Sequence, residues 1–360
     1  VRVVIVDTYY DAFLNAHYAA SRGLAGRPYT EQWRSLMDTR FGTADAYSFF
    51  LRELGHEAHE LVINCRPLQE AWASESGLGR GRRGIRRGRK RLLQIALAQV
   101  AAFEPDVVYV QDLHVFQPDE LRTLRAGGAL LVGQLGTEPP VDRRLESFDL
   151  ITTSLPQFVP WLRGAGIDAE LLRIGFDHRV LDTVQQGGSR HGVVFIGSLL
   201  RPRWEAGIER IAWAAERVQV DLYGYGAETW PEASIVRQRY RGEAWGIDMY
   251  RLLARCAIAL NRHGDVAGDY ANNMRLYEAT GMGALLITEH KRNLGELFEV
   301  GDEVIGYRSS DGLVDAIRYY VEHENERSRI ALAGQRRTLS DHTYAKRMVE
   351  LSSILSDRLG

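Results

Sequence analysis

Cysteine is nearly absent from this chain. There are two in 360 residues, Cys65 and Cys256, far apart and in no metal-ligand spacing. A disulfide framework and a structural zinc site are therefore not expected, and Cys256, set in an apolar run, reads as a core residue. No apolar run approaches the length of a membrane-crossing helix. The chain opens directly on an apolar strand instead of a basic leader, so a soluble cytoplasmic protein is the expectation. An excess of one charge is also missing: 45 Lys and Arg stand against 47 Asp and Glu, a formal net charge of −2. That balance argues against a protein that coats a polyanion. No single G-x-G-x-x-G joins a first strand to a first helix, which disfavours a dinucleotide-binding enzyme. There is no Asp-x-Asp motif of the kind that would hold a divalent metal beside a diphosphate.

What is present is ordinary for a globular protein, with 45% apolar and 26% charged residues, and the length suits two domains with a core each. Val1 to Val6 is a largely β-branched run ending at Asp7, the pattern of a strand buried in a parallel sheet. Thr8 to Gly42 reads as a long polar and aromatic loop, whose excess length points to function or insertion. A helix over 44–54 and a strand over 57–63 follow. From Arg80 to Arg91 there are eight basic residues, no acidic ones and three glycines. This stretch reads as a solvated loop feeding the helix at 92–103, or as a grip on an anionic acceptor or lipid surface. No aromatic platform is interleaved with the arginines, so nucleic acid is not an expected partner.

Strands at 107–110, 129–132, 148–152 and 169–172 then alternate with helices at 118–125 and 155–163, which predicts right-handed crossovers and a parallel sheet. Ligands of such sheets gather at the carboxyl ends of strands. Asp7, Asp112, His114 and Glu138 occupy such ends, and each could equally be a turn or helix-cap residue. A linker reads over 182–192, after which the alternation restarts. Strands are expected at 193–196, 220–223 and 256–260, and helices at 203–217 and 248–255. Three more helices follow at 311–323, 325–335 and 344–355.

The stretch Asn272-Asn273-Met274-Arg275-Leu276-Tyr277-Glu278-Ala279-Thr280-Gly281-Met282-Gly283 reads as a helix start, about two turns and a glycine stop, before a strand at 284–287. A helix start leaves backbone N–H groups without partners and can hold an anion. Arg275 adds a cation. Glu278 lies on the same face one turn deeper, where it would repel phosphate but accept hydrogen bonds from the vicinal hydroxyls of a ribose. The spacing also fits a surface ion pair.

Several ordered phrases resemble the CgeB-like (spore-maturation) branch of the group 1 GT-B glycosyltransferases, over about residues 192 to 347. They are Val194-Phe195-Ile196-Gly197-Ser198, Leu222-Tyr223-Gly224-Tyr225-Gly226, Ala259-Leu260-Asn261-Arg262-His263, Asn272 to Gly283 and His342-Thr343-Tyr344. Residues 106–112 carry a looser resemblance in the first half. The resemblance implies an α/β fold of two facing Rossmann-like domains. An acceptor-side domain would span 1–180, a linker 181–192 and a nucleotide-sugar domain 193–340, with a helix at 341–360 crossing back. It implies sugar transfer from a nucleoside-diphosphate-sugar to an acceptor hydroxyl in the interdomain cleft, with no cofactor or metal required. By the same resemblance, Glu278 binds ribose and the backbone at Asn273, Met274 and Arg275 cradles diphosphate. Gly197 and Arg203 match the glycine-containing turn and the basic residue near the phosphates, and Ser198 and Gly224 belong to the donor-binding set. Asn261 and His263 lie beside the donor sugar. Many relatives carry a second glutamate eight positions before the ribose-binding one; here that position is Tyr270, so the family's donor-sugar contacts do not transfer. An inverting enzyme needs a general base, for which Asp112, His114 and Asp7 are candidates in that order. The rival readings are another GT-B enzyme, such as a sugar-nucleotide epimerase or a phosphorylase, or a non-catalytic protein binding nucleotide-sugar or polyanion.

Overall fold

Val3, Val4, Ile5 and Val6 are all at most 1% exposed, so their strand is covered on both faces. That is the condition of a central strand in a parallel α/β sheet. The computed structural model describes residues 1–78, 88–185, 187–201 and 205–360. Residues 79–87 of the arginine-rich stretch and Arg203 lie outside the described residues. Two compact units form, one of Val1–Arg173 with Arg347–Gly360, the other of Ile174–Lys346.

The first unit carries β1 (Arg2–Asp7), β2 (Glu57–Val62), β3 (Val107–Val110), β4 (Leu130–Leu135), β5 (Leu150–Thr153) and β6 (Ala169–Leu171). They form one parallel sheet in the order β2-β1-β3-β4-β5-β6. The second unit carries β7 (His191–Ile196), β8 (Asp221–Tyr223), β9 (Cys256–Asn261), β10 (Leu285–Glu289) and β11 (Ile305–Tyr307). These are parallel in the order β11-β10-β9-β7-β8. Alternation along β7 shows how both faces are used. Val193 and Phe195 enter one apolar cluster, Val194 and Ile196 the other. The final helix, Tyr344–Leu359, is grouped from Arg347 onward with the first unit. There, His56 Nε2 lies 2.7 Å from Ser352 Oγ, and Arg358 pairs with Asp168 at 2.8 Å and Glu170 at 3.1 Å.

The stretch expected to be a long loop, Thr8 to Gly42, is mostly helical: Asp11–Ala20 and Tyr29–Met37 are helices joined by a short turn. The second buries Tyr29, Gln32, Leu36 and Met37. That is helical spacing, but Gln32 among them hides the apolar stripe that periodicity would detect. A helix over Arg66–Glu75 was also not expected, and β4 continues through Leu135, beyond the 129–132 read from sequence. Among the described residues no helix is long and apolar enough to cross a membrane.

The chain enters and leaves the second unit along one bridge. Phe176 N–H donates to His342 O at 2.7 Å, and Tyr344 N–H donates to Phe176 O at 3.0 Å. Gly175 permits this, because a Cβ there would stand 2.7 Å from Tyr344 N and 2.8 Å from Thr343 C. Backbone cannot yield as a flexible side chain can. Gly175→Val is expected to lower stability by about 1–3 kcal/mol, read as an earlier denaturant midpoint with unchanged slope. An unchanged midpoint would show that the bridge is dispensable.

Candidate functional site

In the second unit the expected site residues collect at the carboxyl ends of the strands. Gly197 and Ser198 follow β7, Gly224 follows β8, Asn261 ends β9 with Arg262 and His263 behind it, and the helix Arg275–Gly281 opens just before β10. Two of these loops touch through glycine. Gly224 has φ +135, and a Cβ on it would fall onto the Gly197 carbonyl. Tyr223 O accepts the Gly197 N–H at 3.0 Å, and Tyr225 O accepts that of Leu199 at 2.9 Å. The two glycines therefore set the distance between the β7 and β8 loops.

A second group is a continuous polar network. Asn273 Nδ2 donates to Asn261 Oδ1 at 2.6 Å and to Arg262 O at 2.7 Å, while Asn273 Oδ1 accepts the Leu276 N–H at 3.3 Å. Asn261 Nδ2 donates to Thr288 Oγ1 at 2.9 Å. His263 Nδ1 accepts the Asn272 N–H at 3.2 Å, leaving Nε2 as the protonated nitrogen, which faces Thr288 Oγ1 at 3.2 Å. Burial, together with the nearby charges of Lys291 and Arg262, lowers the His263 pKa to about 3. Neutral, 3% exposed and engaged at both nitrogens, this ring braces the loop and offers no free nitrogen to a ligand. Asn261, 2% exposed, is likewise a brace. Thr288 and Glu289, which complete the network, were not read as site residues. Glu289 pairs with Arg210 and accepts the His263 N–H at 3.3 Å. Their position at the end of a buried strand was the available signal.

The bracing leaves something open. Among the described residues, the backbone N–H groups of Asn273, Met274 and Arg275 have no acceptor. These are the three N–H groups expected to face an anion. The helix starts at Arg275, three residues later than the Asn272 start expected from sequence.

Arg275 and Glu278 form an ion pair at 2.7 Å, with side chains 14% and 7% exposed. It is not the surface pair that spacing alone suggested. Tyr250 OH lies 3.4 Å from the other carboxylate oxygen, a long hydrogen bond. Burial raises the Glu278 pKa despite opposition from Arg275 and Tyr250. The carboxylate is thus a charge its own surroundings under-serve, which further hydroxyl donors would relieve. Arg275 Nε is buried without a hydrogen-bond partner among the described residues.

In the first unit Asp7, Asp112 and His114 come together at the ends of β1 and β3. Thr8, not singled out from sequence, joins them: its hydroxyl donates to Asp112 Oδ2 at 2.6 Å, and its N–H to Asp7 Oδ1 at 2.8 Å. Asp112 Oδ1 accepts the His114 N–H at 2.9 Å, and His114 Nε2 lies 3.2 Å from Glu138 O. Burial pushes the Asp7 pKa up to about 7; the Thr8 N–H opposes the rise and the Asp112 charge adds to it. No cluster of three His, Cys, Asp or Glu able to hold a metal occurs among the described residues.

Comparison with known proteins adds two findings. The family model described as glycosyl transferase-like matches residues 203–353. Solved structures match along the whole chain. Sucrose-phosphate synthase from Thermosynechococcus elongatus is 10% identical with a TM-score of 0.60, covering 99% of this chain and 98% of that one. HepE of Anabaena in complex with UDP-glucose is 13% identical with a TM-score of 0.59, covering 99% of each. The fold is GT-B. AviGT4, a glycosyltransferase involved in avilamycin A biosynthesis, shares this GT-B fold at 18% identity and a TM-score of 0.55, covering 98% of this chain and 96% of that one. No curated protein matches the sequence.

Because burial raises its pKa, the ionised Glu278 costs folding free energy at neutral pH, and that cost disappears below the ordinary glutamate value of 4.5. Glu278→Gln should therefore melt higher than the parent protein near pH 7 and equal to it near pH 4, in the absence of ligand. A lower melting temperature at pH 7 would mean that the ion pair with Arg275 outweighs desolvation.

Proposed function

We propose that the protein is a glycosyltransferase that binds a nucleoside-diphosphate-sugar on its second unit and an acceptor on its first. Within GT-B we place it in the CgeB-like branch, on the ordered phrases of its second half. The observation that carries the reading is the run of three unpaired N–H groups at Asn273–Arg275, one helical turn from a buried, under-compensated carboxylate. A diphosphate at those N–H groups and a ribose at Glu278 would satisfy both. The glycosyl transferase-like match over 203–353 covers this segment.

The reaction breaks the bond between the anomeric carbon and the diphosphate oxygen, and forms one from that carbon to the acceptor hydroxyl. Negative charge grows on the departing diphosphate. Fixed N–H dipoles at Asn273–Arg275, with the Arg275 guanidinium, stabilise it without reorganising. Asn261, His263 and Thr288 act at one remove, holding the loop that presents those dipoles. Gly197, Ser198 and Gly224 form the neighbouring rim of the donor site, with Arg203 assigned there by sequence alone. The diphosphate's charge is met by protein groups in this reading, with no metal.

If the transfer inverts the anomeric carbon, a base must take the acceptor's proton. Asp7 suits that role better than Asp112 or His114. Asp112 already accepts hydrogen bonds at both oxygens and His114 caps the β4 loop, whereas Asp7 Oδ2 has no hydrogen bond among the described residues. With a pKa of about 7, Asp7 is ionised only above neutrality. The rate should therefore climb as pH rises through about 7, and Asp7→Asn should abolish that step while lowering kcat by about 10²–10⁴. A pH profile unchanged in Asp7→Asn would remove it as the base.

The donor is tested by thermal shift with UDP, GDP, dTDP, CDP and ADP, on the parent and Glu278→Ala. The UDP-glucose complex of HepE makes UDP the first to try. A ligand at a hundred times its Kd adds about 2.7 kcal/mol to stability. One nucleotide is expected to raise the melting temperature of the parent and act much less on the variant. No shift with any of the five would take the transferase reading down.

A further inference from the structure

The first unit contains a cavity of about 640 Å³ outside the groups described so far. Its walls come from the segments that follow β1, β2 and β3, and from the helix Arg89–Phe103. It therefore opens on the same carboxyl edge of the sheet as Asp7 and Asp112. One wall is tied to the loop beyond Asp7: Tyr9 N–H donates to Asn64 Oδ1 at 2.9 Å, and Asn64 Nδ2 donates to Tyr9 O at 2.7 Å. A volume of this order accommodates a small-molecule ligand.

Two features define what the cavity would take. Its body is apolar, lined by Leu14, Ile63, Pro67, Leu92, Leu93 and Val115. Its charge is positive, with Arg66 and Arg89 against the single carboxylate of Asp11. Neither arginine is neutralised by a neighbouring carboxylate among the described residues. Arg40, Arg125 and Arg144 each pair with an aspartate. Arg66 and Arg89 form no ion pair among the described residues; Arg89 donates only to the Val115 carbonyl, and Arg66 has no hydrogen bond there. A guanidinium presents a planar fork of donors matched to phosphate, and two uncompensated forks over an apolar floor are complementary to an anionic amphiphile.

We propose that this cavity binds the acceptor, and that the acceptor is a phosphate-bearing amphiphile whose apolar body fills the floor while Arg66 and Arg89 hold its phosphate. Only the word acceptor rests on the transferase reading; the binding chemistry stands on the cavity itself.

The test is calorimetric titration of the whole protein with octyl phosphate, octyl glucoside and inorganic phosphate, each kept below any micellar concentration. Octyl phosphate is expected to bind the parent at least about tenfold more tightly than either of the others, since each lacks one half of the recognition. The double variant Arg66→Gln, Arg89→Gln should lose about tenfold or more. Asp11→Asn, which removes the opposing charge, should bind octyl phosphate more tightly, and this gain does not depend on the double variant folding. Equal binding of octyl phosphate and octyl glucoside, unchanged affinity in both variants, or no binding at all overturns the proposal. The nucleotide screen separates the two readings. Nucleotide binding without octyl phosphate binding sinks the cavity proposal alone, whereas octyl phosphate binding with no nucleotide binding leaves the cavity standing and removes the transferase.

Discussion

The hydrogen bonds that Asn273 sends to Asn261 and to the Arg262 carbonyl hold the second unit's site in shape. A helix of seven residues has little dipole and no stability of its own. Its N-terminus stays in place because the Asn273 side chain ties it to the end of β9, and that end is tied in turn to Thr288 at the end of β10. The Asn273 Oδ1 also takes the Leu276 N–H, while the preceding three N–H groups have no acceptor among the described residues. Polar side chains here are spent on holding the start of that helix in place. His263 makes the point most clearly, since a ring held neutral with both nitrogens occupied can brace a loop at any ordinary pH.

The two units share one physical device. Each buries a carboxylate beyond what its neighbours compensate, Asp7 in the first and Glu278 in the second, and in both burial is the largest cause of a raised pKa. Such groups cost stability when ionised and gain from added donors or a shared proton. A third buried carboxylate, Glu60, is raised by burial to about 7 as well, but Ser48 satisfies it through both its N–H and its hydroxyl. Glu60 therefore anchors a helix to β2, and the contrast with Glu278 lies in how many donors surround each.

Much of this architecture was legible in the chain. Parallel strands buried on both faces are near-continuous apolar runs, so β1, β3, β7, β9 and β10 could be read directly, along with the alternation with helices that implies two parallel sheets. The helices between Thr8 and Gly42 were not legible, because a buried glutamine breaks the apolar stripe that periodicity relies on. The cavity next to them was not legible either. Its walls come from four segments spread between Asp11 and Val115, and nothing in one dimension marks them as neighbours.

The sequence by itself determined the strand runs, the glycines that let loops approach closely, and the placing of Asn273 to Glu278 at the start of a helix before a buried strand. These follow from local sterics and from patterning along the chain. Only the tertiary structure decided what the polar side chains do there. Whether Arg275 and Glu278 lie in water or in the interior, whether His263 has a free nitrogen, and which of Asp7 and Asp112 has an open oxygen depend on neighbours many residues away. Burial and hydrogen-bond partners set charge and reactivity, and both are properties of the packed chain.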